Sequence, residues 1–350
     1  MSLLASKKRN VASDSAPRVT KAMMASRGDT FGALGKNLLA KKLVFVTGKG
    51  GVGKSSVTAG LARLSSKAGL KTLVCEVDAK GDVSPNFGVE GVTFKPRNVA
   101  PNLYIMAMDT EEALAEYLRL NLRIPMITRL GPLARAFDFV ANAAPGVKEI
   151  LVVGKLCYEV RERAWDIIWV DASASGHIVS QLASPAGISE LFKVGIVKEQ
   201  TAWMAEILSN PETTSLVLVL TPEETPVSES LELLDRLRLE TTIAVSMCVV
   251  NKVLGEPFSS GEAAIFADID GGRLVGDFAA IADGGADALL SASRFATKLR
   301  SSRSEHTRNF VSALTGEVAT VFVPFFMGAE TGLKLTAEIA EALAGEMSGS

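Results

Sequence analysis

From Leu43 onward, short runs of Val, Ile and Leu alternate with longer stretches in which apolar residues return at helical spacing. The runs are Leu43–Thr47, Thr72–Val77, Leu103–Met108, Ile167–Asp171, Leu216–Leu220, Ile243–Val250 and Val321–Val323. A strand with one wet face alternates apolar and polar residues, whereas these runs are almost continuously apolar, which predicts strands covered on both faces. Strands of that kind spaced by helices imply a doubly wound, mainly parallel α/β sheet. In such a sheet ligands collect at the carboxyl ends of the strands. The runs are strand-sized and far below a membrane span.

Two stretches interrupt the alternation, and they predict helical insertions at about residues 110–160 and 186–212 within a single domain spanning 39–345. In the first, Met126, Leu130, Leu133, Phe137 and Val140 form one helical stripe, although Gly131-Pro132 can divide it into two shorter helices. The second places Leu191, Phe192, Ile196, Trp203, Met204 and Ile207 on helical patterns. These stripes either bury each other as the core of a helical subdomain or line a groove for an apolar partner. Residues 1–38 differ from the rest: basic residues such as Lys7, Lys8, Arg9, Arg18, Lys21, Arg27 and Lys36 stand against only Asp14 and Asp29. That composition fits a flexible basic tail or an organellar transit peptide.

At 350 residues, 47% hydrophobic and 22% charged, the chain can bury a sizeable core. A net charge of −2 provides no global field that would favour nucleic acid, so no nucleic-acid partner is expected. Cys75, Cys157 and Cys248 are far apart and form no C-x-x-C pair. They read as reduced thiols of a cytoplasmic protein.

The chemistry concentrates after the first run. Gly48-Lys49-Gly50-Gly51-Val52-Gly53-Lys54-Ser55 fits G-x-x-x-x-G-K-[ST] between a strand and an amphipathic stretch, and Ser56 continues the candidate binding set. Glycines let consecutive N–H groups turn inward as an anion nest, and the following helix adds its positive end at the same place. The pattern predicts a nucleoside triphosphate with Mg²⁺: Lys54 on the β- and γ-phosphates, the Ser55 hydroxyl on the metal. Asp78 and Asp171 each follow an apolar run, so both are expected to face the phosphates. Asp171 is read as a Mg²⁺ ligand and Asp78 as the group that orients the attacking water.

These residues resemble a known family. GKGGVGKS is similar to the deviant phosphate loop shared by the arsenite-pump ATPase and the tail-anchored-protein targeting ATPase. The first switch of that family aligns without gaps on "DAKGDVSPNFG", keeping Asp78, Ser84, Phe87 and Gly88. The second aligns on "DASASGHIV", keeping Asp171, Gly176 and His177. The resemblance continues through "VVNKVLGEPF" and "VPFFMGAETGLKL". It implies that Asn251 recognises adenine and that Pro324 starts a loop beside the base. It further implies an ATPase in which Lys49 reaches the phosphates of a facing subunit, so the protein is expected to be a homodimer, or a heterodimer with a paralogue. The client implied by the closer relatives is a hydrophobic helix or membrane protein.

The departures bear on function. Ala79, Gly81 and Ala174 replace a proline, a histidine and a second proline of the family's switches, and the C-x-x-C zinc motif of the tail-anchored-protein ATPase is missing from the sequence. Alongside the client-handling switch, three other functions stay open: a regulatory nucleotide-binding half of a heterodimer with low hydrolysis, the ATPase subunit of an arsenite or anion pump, and an ATPase that positions cargo on DNA or membrane, which Glu338, Glu341 and Glu346 in the last helical stretch disfavour.

Overall fold

The computed structural model describes residues 32–78, 81–122, 147–191, 196–282, 284–314, 318–328 and 331–349. Eight strands form one sheet: β1 (Leu43–Thr47), β2 (Thr72–Glu76), β3 (Arg97–Ala100), β4 (Leu103–Ala107), β5 (Ile167–Asp171), β6 (Thr214–Leu220), β7 (Val245–Val253) and β8 (Ala319–Pro324). Their order is β3-β4-β2-β5-β1-β6-β7-β8, and every pair is parallel except β3 with β4. The seven apolar runs are therefore the seven parallel strands. The edge strand β3 had no such run to betray it, because its two leading residues are exposed and the last two only half-buried.

Each face of the sheet is covered. On one side α1 (Ala33–Leu39), α2 (Lys54–Lys67) and α11 (Leu333–Ser348) pack over Val44, Val46, Val74, Trp169 and Val217. On the other, Phe45, Cys75, Ile168, Val170 and Leu218 meet residues from α4 (Val147–Arg161), α5 (Ser175–Leu191), α6 (Ile196–Ser209), α7 (Glu224–Glu240) and the end of α10 (Ala286–Ala313). Burial on both faces is why no polar alternation appears in these strands. The folded body also reaches into the stretch expected as a tail: Leu38 and Leu39 are buried, and the Gly32 N–H donates to the carbonyl of Met347.

Of the first predicted insertion, α3 (Thr110–Leu122) and α4 lie within the described residues, while the stripe from Met126 to Val140 lies outside them. Lys155 on α4 is 8% exposed and pairs with Glu116 at 2.6 Å and Glu159 at 2.8 Å, which fastens α3 to α4. In the second insertion Met204 and Leu208 are buried and Trp203 and Ile207 pack against the same core. Phe192 lies outside the described residues. A third excursion, not anticipated from sequence, joins β7 to β8 through α8 (Ser260–Asp270), α9 (Val275–Ile281) and α10. It buries few side chains, among them Ile269, Leu290 and Phe310, so its pattern carries little helical stripe. Arg303 of α10 donates to Glu223 at 2.6 Å and ties the base of the excursion to the start of α7.

Candidate nucleotide site

β1 is flanked by β5 on one side and β6 on the other, so the chain leaves its carboxyl end at the point where the winding reverses. The loop from Gly48 to Gly53 occupies that point and feeds α2. Gly48 has φ 152°, and a Cβ there would lie 2.0 Å from the Val219 carbonyl oxygen of β6. Gly53 has φ 91°, and its Cβ would lie 2.4 Å from Nδ2 of Asn251. At Gly48 a side chain would run into the backbone of β6, and at Gly53 it would displace the Asn251 amide, which is the physical content of two of the motif's glycines.

The first-turn N–H groups of α2 have no carbonyl partner within the helix, and its dipole adds positive potential over the loop. Lys54 Nζ lies over the loop and donates to the Lys49 carbonyl at 3.3 Å. Ser55 Oγ donates to Asp171 Oδ2 at 2.8 Å, and Thr58 Oγ1 lies 3.3 Å from Oδ1 of the same carboxylate. Thr47, at the end of β1, donates to the Ser173 carbonyl at 3.1 Å and so secures the chain just beyond Asp171.

Asp171 is 8% exposed. Burial pushes its carboxyl up to about 6, and the neighbouring Glu76 adds to the rise, against the opposing pull of Ser55, Lys54 and Thr58. Glu76 is the register partner of Asp171 across β2 and β5, is 2% exposed, and accepts a hydrogen bond from the Asp82 N–H at 2.6 Å. It therefore ties the first-switch segment to the sheet. Sequence reasoning passed over Glu76 because it closes an apolar run; the available signal was an acid where that strand should have stayed apolar. The donors gathered here are hydroxyl and carboxylate oxygens, the hard set that suits Mg²⁺.

The other expected site residues are distributed around this centre. Asp78 is exposed just beyond β2 and takes no part in the Ser55–Asp171 hydrogen bonds. Lys49 pairs with α7, its Nζ 2.6 Å from Oε1 of Glu229. Gly50 and Gly51 are exposed, Val52 is buried, and Ser56 is half-buried in the first turn of α2. Asn251 is 4% exposed, with its Nδ2 donating to the Val52 carbonyl at 2.9 Å. Pro324 ends β8 opposite Val253, and the exposed Phe325 and Met327 follow it. His177, in the first turn of α5, is exposed.

A sequence profile of the family described as "Anion-transporting ATPase" matches residues 41–203 and 190–267, which together run from β1 into α8. ATPase BagA of Mycobacterium tuberculosis is 29% identical over 222 residues, 60% of this chain and 65% of its own length. This chain thus spans just under two thirds of that relative. An ATPase ASNA1 homolog of Cryptosporidium parvum is 26% identical over 252 residues, covering 62% of this chain and 67% of its own. A protein of Halobacterium salinarum provisionally named an arsenical pump-driving ATPase is 27% identical over 247 residues, covering 64% of this chain and 37% of its own. With the profile covering well over half its length and the loop, Lys54, Ser55 and Asp171 assembled at the sheet's switch point, this chain belongs to the anion-transporting ATPase family.

Proposed function

We propose that the protein is a Mg²⁺-dependent ATP hydrolase that works as a dimeric nucleotide switch for a client. The observation that carries this reading is the hydrogen-bonded unit of Ser55 and Asp171 at the foot of a glycine nest that also holds Lys54. In the proposed mechanism the nest and Lys54 hold the phosphates, while Ser55 and Asp171 hold the metal. When bound, Mg²⁺ neutralises charge on the β- and γ-phosphate oxygens. Asp78 orients the attacking water from the first switch. Glu76 keeps that switch within reach through Asp82, so a change at Asp171 can be felt at Asp78.

Lys49 is assigned to the facing subunit's phosphates. This assignment rests on the family resemblance; in the single protomer Lys49 is held by Glu229 of α7, and the trans role requires that contact to break. The client assignment, a hydrophobic helix or membrane protein, rests on the family resemblance. On α6, Trp203 and Met204 pack into the protomer's own core.

The experiment is ATP turnover by the purified chain with and without Mg²⁺, beside the Lys49→Ala variant. Lys49→Ala is expected to keep nucleotide affinity and lose on the order of a hundredfold or more in hydrolysis, as when a transition-state charge is withdrawn. Loss of affinity with unchanged turnover of the bound fraction would remove the trans role. Metal-independent turnover would remove the assigned chemistry.

A further inference from the structure

Asn251 and Lys252 both reach from the end of β7 to the phosphate loop. The Asn251 amide donates to the Val52 carbonyl at 2.9 Å in a buried contact, and the Lys252 ammonium donates to the Gly51 carbonyl at 3.1 Å. The two acceptors are consecutive. Lys252 makes its contact from a left-handed backbone, φ 58°, which costs a non-glycine residue about 1 kcal/mol or more. The pairing of β7 with β8 shifts register between Val250 and Val253, around this same residue. The strand therefore departs from regular geometry where it meets the loop.

The consequence follows from peptide geometry. In a planar trans peptide the carbonyl of one residue and the N–H of the next point in opposite directions, and the described residues contain no cis peptide. Holding the Gly51 carbonyl toward β7 turns the Val52 N–H away from it, and holding the Val52 carbonyl does the same for the Gly53 N–H. These are N–H groups of the anion nest. We infer that Asn251 and Lys252 are positioning residues that fix the nest in its phosphate-binding orientation, a role for Asn251 that one N–H of its amide performs whether or not the rest of that amide meets a base. The inference rests on the nucleotide-binding reading of the loop. It differs from the adenine role implied by resemblance in what it predicts for a ligand without a base.

The test compares ATP, GTP and inorganic tripolyphosphate as ligands of wild type, Asn251→Ala, Lys252→Met and Lys252→Arg, with thermal midpoints recorded for each. A lost nest contact is expected to weaken all three ligands, tripolyphosphate included, by about threefold to tenfold for each variant lacking its donor. Lys252→Arg should recover most of the affinity. Lys252 lies at the surface, so its variants serve even if Asn251→Ala destabilises the fold. A loss confined to ATP, with tripolyphosphate affinity unchanged, would overturn the inference and return Asn251 to the base while leaving the nucleotide site intact. Unchanged affinity of Lys252→Met for all three ligands would overturn it too. A folded wild type that bound none of the three would instead bring down the nucleotide reading, and this inference with it.

Discussion

The 2.6 Å pair between Lys49 and Glu229 makes the trans reading of Lys49 quantitative. In the single protomer Lys49 is occupied, so reaching a facing subunit requires this contact to break first. Its side chains are 34% and 38% exposed, which leaves the pair open to solvent screening. Such pairs stabilise by about 0.2–1 kcal/mol, so Glu229 lowers the fraction of released Lys49 by at most about fivefold. Glu229→Gln keeps the shape and removes the charge. It should raise turnover by about 1.4-fold to fivefold at enzyme concentrations where dimers are scarce, and change little where dimers are saturated. The assay is ATP turnover as a function of protein concentration, at low salt and at about 0.5 M salt. Screening should bring wild type toward the variant, because salt weakens the same pair. In a Lys49→Ala background the substitution should do nothing. A Glu229→Gln variant slower than wild type at every concentration would mean that Glu229 serves the competent state, and the reasoning would be wrong.

Three further outcomes follow from the same geometry. Asp78→Asn should bind ATP and hydrolyse it far more slowly, since an amide cannot take a proton from water; unchanged single-turnover rates would remove Asp78 from the mechanism. In the metal-free protein the Asp171 carboxyl sits near 6, above its unfolded value of 3.8, so the folded state holds this proton more tightly. Its contribution to stability is therefore full below about pH 4 and lost as pH rises through about 6. Relative to Asp171→Asn, wild type should lose on the order of 3 kcal/mol between those limits in urea unfolding, and a pH-independent difference would contradict the burial argument. Met204→Ala should cost about 2–4 kcal/mol, because Met204 is 3% exposed and fills the space above Gly154; a neutral effect would reopen the α6 face as a client surface.

The seven parallel strands were readable because their period and their burial on both faces leave the same trace, an unbroken apolar run. The loop was readable because its chemistry is local. What stayed hidden was of two kinds. β3 and the excursion from α8 to α10 bury too little to impose a pattern, and in the latter only the cap of α8 was explicit, with Ser259 and Glu262 exchanging hydrogen bonds across the first turn. The other kind is polar and distant: Glu229 lies 180 positions from Lys49, and nothing near either residue announces the other.

Gly53 shows how the two kinds of information meet. The motif fixes a glycine at that position, and local reasoning assigns it to the left-handed turn before α2, where φ is 91°. Left-handed backbone alone would tolerate Asn or Asp at moderate cost. What adds to that cost is Asn251, whose Nδ2 would lie 2.4 Å from any Cβ at this position and would have to leave the Val52 carbonyl it holds. The invariant letter in a local pattern is thus partly the imprint of a hydrogen bond spanning 199 residues. The phosphate loop and the end of β7 constrain one another. Any substitution at Gly53 should therefore disturb the Val52 peptide and the nest together, even where the new residue could adopt the turn.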